Sequence, residues 1–428
     1  MLLMIVLFGI LLYRIYKVKE ARKITIIFLI VCIPLIIIHT LLLYSAHGDY
    51  FAGSDASGFY YYYGKPLAYM DRNNSLISEM SGMIRYKYWG FLVYNMLSQI
   101  PKVSDLTASI IIRMNNLILM LITVSKVLEF YIKREIDIKS NKNKLFIVSA
   151  VFILLWGVFF NFRDIIISCL LILLFFEFFS FEKAKRKIIN CSIYILLLVF
   201  FRDEFVFLTI VSSLLSWGLL RIRWIKRKAL VGSIVIVMIF LIYSYIPLIQ
   251  MQESMYKYYG VFVFLSRRMS GLEFFLNYIY EVILAFVGFN PLKYVPYLIT
   301  DNMSDRTWIL TGITGTLTII FSIIGYYLVM PLYFALLSTR KLKDYLKNSK
   351  LQKLIIVSSI FFFLVISTYA GRQGQVQERI RLTIYPLILL SAVPIKFNYR
   401  LNRMLKDWSM IFLAISIIYI LIDILIVR

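Results

Sequence analysis

The sequence is short of the residues from which soluble catalytic and metal centres are usually built. It holds three cysteines and two histidines in 428 residues. Cys32, Cys169 and Cys191 each lie inside an apolar run without paired spacing, so packed thiols are expected. With only His39 and His47 besides, a His/Cys zinc site is not expected. The sequence has no Gly-rich phosphate loop followed by Lys and Ser or Thr, no zinc-protease helix and no nucleophile elbow. Nucleotide-driven transport and the common hydrolase plans therefore lose their markers. Acidic residues are few, 23 against 47 Lys and Arg, for a net charge of +24. No Pro-rich, Gly/Ser-rich or low-complexity linker divides the chain, which reads as a single domain over 1–428.

What the chain has in abundance is apolar surface. It is 61% hydrophobic and 16% charged, with a mean hydropathy of +0.80, more than a water-soluble core can absorb. The fold class is therefore all-α, a polytopic helical bundle in a membrane. A crossing takes about 20 apolar residues, and on that measure about twelve spans are predicted: Leu2–Tyr13, Ile24–Leu43, Ala108–Phe130, Leu145–Phe162, Ile165–Phe181, Ile188–Phe201, Phe205–Leu220, Ala229–Leu248, Ile309–Leu337, Leu354–Tyr369, Leu382–Ile395 and Trp408–Val427. Residues 1–13 have no basic leader and no cleavage site, so they read as a span or signal anchor.

The basic residues sit in clusters between these runs, as in loops kept on the cytoplasmic side, rather than as a nucleic-acid footprint. Arg14, Lys17, Lys19, Arg22 and Lys23 mark the first such loop, and Lys133 to Lys144, Lys183 to Lys187, Arg221 to Lys228, Arg340 to Lys350 and Lys396 to Lys406 mark the rest. They alternate with polar connections of mixed sign, which puts both termini outside. Two apolar stretches do not fit as crossings. Trp89–Ile100 reads as an interfacial or re-entrant helix. Phe274–Phe289, within the long segment Ile249–Trp308, lies flat or pairs with Val261–Leu265 as a re-entrant hairpin.

The chain is organised around Asp49–Arg85, an acidic, Gly- and Tyr-rich stretch in the outer segment 44–107. Asp55 stands among Gly53, Ser54, Ala56, Ser57 and Gly58, small residues that let a bulky ligand approach, and Tyr60 to Tyr63 follow, suited to stacking on sugar rings or to the bilayer interface. Arg113, with Asn115 and Asn116, lies inside a span and faces the bundle interior or snorkels outward. Arg163-Asp164 and Arg202-Asp203 echo one another at two outer turns, where an Asp also suits a helix start. Arg372, Arg379 and Arg381 crowd the start of the span that contains Pro386. Together with Asp49, Asp203 and Glu204, these groups map to the outer end. Carboxylates there suit a general base or a divalent cation, Mg2+ or Mn2+, on Asp55 and Asp164; arginines suit a departing phosphate.

In this order the motifs Gly53-Ser54-Asp55-Ala56-Ser57-Gly58-Phe59-Tyr60, Arg113-Met114-Asn115-Asn116, Arg163-Asp164 and Arg379-Ile380-Arg381-Leu382 through Pro386 resemble the GT-C superfamily of polyprenyl-phosphate-dependent glycosyltransferases and the membrane polymerases of surface polysaccharides. The resemblance implies inverting transfer from an undecaprenyl-linked donor to a saccharide or glycolipid acceptor at the outer face of a bacterial plasma membrane. Asp55 would be the base, Asp164 would position acceptor or metal, and Arg163, Arg113, Asn116, Arg202, Arg372, Arg379, Arg381 and Tyr60 would bind substrate and phosphate. Export or assembly proteins are the implied partners. An extra leading span and the lack of a large soluble outer domain depart from the family pattern. A flippase for lipid-linked oligosaccharides, or another secondary transporter, is the alternative.

Overall fold

The structure is a computed structural model and describes residues 1–51, 89–99, 103–160, 163–180, 182–221, 286, 312–338, 349–373 and 378–427. Among the described residues all regular secondary structure is helical. The helices are α1 (Leu2–Lys17), α2 (Lys19–His47), α3 (Trp89–Gln99), α4 (Asp105–Ile132), α5 (Asn141–Phe160), α6 (Arg163–Phe178), α7 (Ala184–Arg221), α8 (Gly312–Leu337), α9 (Ser349–Gln373), α10 (Glu378–Ala392) and α11 (Tyr399–Val427). Among the described residues, five stretches are long and apolar enough to cross a membrane: Lys19–Ser45, Asp105–Ile132, Asn141–Phe160, Ile320–Leu337 and Leu351–Thr368. The protein is a helical membrane protein.

Local chemistry sets several helix ends. Ser104 caps α4, its hydroxyl accepting from the Thr107 N–H at 3.3 Å, with Asp105 in the first turn favoured by the helix dipole. Gly48 ends α2 with φ +66°, a left-handed conformation open to glycine, and returns its N–H to the Tyr44 carbonyl at 2.8 Å.

The centre of the bundle is α6, buried without interruption from Asp164 to Glu177, as a helix apolar on all sides must be. Around it pack α4, α7 and α10, while α5 and α8 pack on α10, α1 and α2 on α4, and α11 on α8. Gly157 allows the closest approach of α5 to α6. A Cβ there would lie 3.1 Å from the Ile165 Cα.

One expectation changes and two are made specific. The first basic cluster is not a loop, because α1 and α2 join at Val18 alone and Arg14 is buried. The spans expected at Ile188–Phe201 and Phe205–Leu220 are both helical, as expected, and meet directly at a kink at Arg202, where φ −167° and ψ 92° are extended; the two together are α7. Trp89–Ile100 is indeed helical, as the 11-residue α3, which at 1.5 Å per residue reaches only about half of a bilayer core. It packs against α1, α4 and α7. A Cβ on Gly90 would meet the Phe200 carbonyl at 2.9 Å, and Tyr94 bonds to Asn116.

The expected span Ala229–Leu248 and nearly all of Ile249–Trp308 lie outside the described residues. From that segment Phe286 is described, buried and stacked on Tyr333 and Phe363. The three cysteines are free and buried, as expected.

Candidate functional site

Arg113 lies about two turns into α4 and is fully buried, so it turns into the bundle instead of snorkelling. Its Nε donates to the Phe159 carbonyl at 2.7 Å, in the last turn of α5 where unpaired carbonyls carry the negative end of the helix dipole. Its Nη1 donates to the Ser109 hydroxyl, and the Asp49 carboxylate acts on it electrostatically. His39 of α2 sets its ring edge-on to Phe159, with centroids 5.4 Å apart. One turn of α4 deeper, Asn116 Oδ1 accepts from the Tyr94 hydroxyl at 2.8 Å, and Asn115 Nδ2 donates to Ser98 Oγ at 2.9 Å.

Asp164 stands in the first turn of α6 and is 2% exposed. Both Arg-Asp motifs stand at helix junctions, as expected, but Asp164 and Arg202 are buried rather than at the surface. Arg202 reaches across the two turns, with its Nη1 3.3 Å from Asp164 Oδ1 and its Nε 3.4 Å from Glu204 Oε2. The extended backbone at Arg202 is what lets one guanidinium reach both carboxylates, because consecutive helical residues do not face one another. Arg163 is half-buried beside Asp164.

Arg381 is 1% exposed in α10, one turn before Tyr385, whose ring lies against Gly325 of α8. Arg372 occupies the last turn of α9 and Arg379 the first turn of α10. The C-terminal ends of α4, α6 and α10 are tied together, since Tyr131 donates to the Leu390 carbonyl and Lys126 pairs with Glu177 at 2.9 Å. The N-terminal halves carrying Arg113, Asp164 and Arg381 therefore point to the same end of the bundle. Asp55 and Tyr60 lie outside the described residues.

The opposite end holds ionisable groups as well, where residues of the basic clusters meet acidic partners. At the opposite end Glu129 gathers Arg14 at 2.6 Å, Lys133 at 2.9 Å and Lys17 at 3.0 Å. Fully buried Glu177 holds Lys126 and accepts from Asn190 Nδ2 at 3.0 Å. Glu182 pairs with Lys133 at 3.4 Å and with Arg186 at 3.6 Å. The Lys133 ammonium would be pushed down by burial, but Glu129 and Glu182 hold it above its ordinary value; burial would raise Glu182, but Lys133 and Arg186 hold it below. Sequence reasoning passed over this hub. The available signal was the placement of Glu129 three residues after Lys126 and four before Lys133, on one helical face.

Of the two carboxylates named for a divalent cation, Asp55 lies outside the described residues and Asp164 is engaged by an arginine. Its Oδ1 faces the Arg202 guanidinium, whose charge opposes a metal at the same oxygen. Among the described residues no group of three His, Cys, Asp or Glu side chains converges. In comparison with known proteins, the chain matches no family model, no curated protein and no solved structure.

Proposed function

We propose that the protein is an integral-membrane glycosyltransferase or polysaccharide polymerase. It would span a bacterial plasma membrane about twelve times and act at the outer face on undecaprenyl-linked sugars, in cell-surface polysaccharide synthesis. The observation that carries this reading is the burial of Arg113, of Arg202 with Asp164, and of Arg381 toward one end of the bundle. Charged groups at membrane depth are costly and are kept for function, and guanidinium groups are the residues of choice for phosphate.

In the proposed reaction the acceptor hydroxyl passes its proton to the Asp55 carboxylate as its oxygen bonds to the anomeric carbon. The bond from that carbon to the carrier phosphate breaks with inversion. The departing phosphate is neutralised by arginine, with Arg379 and Arg372 at neighbouring helix ends and Arg381 about half a turn further into α10. Asp164, held by Arg202, positions the acceptor. No step is assigned to Mg2+ or Mn2+. The test is sugar transfer from a polyprenyl-diphosphate-linked donor by the purified chain: Asp55→Asn should abolish transfer with the thermal transition unchanged, and full activity in that variant would remove the assignment.

A second reading, a lipid-linked oligosaccharide flippase, is favoured by the interruption of α7 at Arg202, because transporters place binding sites at broken helices. Movement of a lipid-linked saccharide across liposomes without a new glycosidic bond would decide for it.

A further inference from the structure

Helices α3 and α4 meet along a seam of neutral polar side chains. Tyr94 and Ser98 face α4 and bond to Asn116 and Asn115. Asn95 and Gln99 follow each of these by one residue, at the same four-residue spacing, and so form an adjoining stripe on α3. Asn95, Ser98, Gln99, Asn115 and Asn116 are all at least 99% buried. Yet Asn95 Oδ1, both polar atoms of the Gln99 amide, Asn115 Oδ1 and Asn116 Nδ2 have no hydrogen-bond partner. Buried polar groups are nearly always satisfied, and an apolar side chain of the same shape would avoid the desolvation penalty. Orphaned donors and acceptors concentrated at one helix contact are best explained by a ligand that supplies their partners.

The side chains define the ligand chemistry. The seam's side chains offer acceptors and donors together and carry no charge; the Met1 ammonium beside them is already bonded to the Ser98 carbonyl at 2.6 Å. Phosphate would want donors and positive charge, a metal would want carboxylates, and a lipid tail would want neither. Sugar hydroxyl and acetamido groups each donate and accept, which suits paired amides. The seam also has a charged neighbour. The start of α3 abuts Phe200 and Phe201, directly before Arg202, which holds Asp164. A ligand with an anionic part beside Arg202 and an uncharged part along α3 would fit both.

We propose that the α3–α4 seam is a subsite for the uncharged saccharide portion of a ligand, entered by parting α3 from α4. The two interhelical side-chain bonds are then exchanged for bonds to the sugar, and the orphaned atoms gain partners. This rests on the glycan reading above, whether the protein transfers the sugar or moves it.

The test uses the full chain in nanodiscs with two neutral disaccharides, N,N′-diacetylchitobiose and maltose, and with inorganic pyrophosphate. At least one disaccharide should slow amide exchange over residues 89–99. The Asn95→Leu/Gln99→Leu variant should bind it about tenfold more weakly, as expected for the loss of about two neutral hydrogen bonds, with pyrophosphate binding unchanged. Protection of α3 by neither disaccharide, or equal affinity in the variant, overturns the proposal. If the double variant does not fold, Gln99→Met alone serves, with several-fold weaker binding expected and unchanged binding counting against the subsite. Binding without any sugar transfer would keep the subsite and remove the transferase reading. Transfer with an unchanged KM in the double variant would do the reverse.

Discussion

The Asp164 carboxylate and the Arg202 guanidinium, 38 residues apart in sequence, meet at 3.3 Å with both side chains almost wholly buried. Such a pair is expensive to break from one side, because the remaining charge stays buried. Arg202→Met should destabilise the protein by about 3–5 kcal/mol, while the double variant Asp164→Asn/Arg202→Met should recover much of that loss. A double-mutant cycle read by denaturant unfolding in mild detergent checks it. Additive losses would mean that the two side chains do not interact.

The Glu129 hub should show a graded response. Glu129→Gln leaves buried Arg14 without its anion and should cost about 3 kcal/mol or more. Lys133→Met removes a cation that is 46% exposed, and should cost under about 1 kcal/mol. The shift in thermal midpoint of the two variants, measured side by side, gives the ratio.

Proton linkage at the same end has a defined sign. Glu182 titrates below its ordinary value of 4.5, so its contribution is present above pH 4.5 and is lost as the pH falls through the lower, folded value. Lys133 titrates above 10.5, so its contribution is present below pH 10.5 and is lost as the pH rises through the folded value. Amide exchange in the last turn of α4 and the first turn of α7 should therefore be flat across neutral pH, after correction for intrinsic rates, and should rise beyond both limits. A break near pH 7 would contradict these assignments.

Glycine substitutions should separate packing from propensity. Gly157→Ala drives a methyl into Ile165 at the α5–α6 contact and should cost about 1–3 kcal/mol through overpacking. Gly9 has nothing within 4 Å of an added Cβ, so Gly9→Ala should be neutral or stabilise by up to about 1 kcal/mol. Thermal unfolding of both variants checks the contrast.

The sequence by itself determined the bilayer as solvent and the helical class, because long apolar runs cannot leave backbone polar groups unpaired in lipid and must satisfy them within each helix. It also placed helices over most of the predicted spans and marked Trp89–Ile100 as too short to cross. Arg113, Asn116, Asp164, Arg202 and Arg381 could be picked out for the same reason: polar groups in apolar runs stand out whatever the packing. Partner choice was another matter. Tertiary structure alone decided that Asp164 meets Arg202, that Arg14 leaves its basic cluster for Glu129, and that Asn95 and Gln99 are buried without hydrogen-bond partners. Ion pairs and buried amides are settled by which helix faces come within about 3 Å of one another, and spacing along one chain constrains only contacts within a single helix.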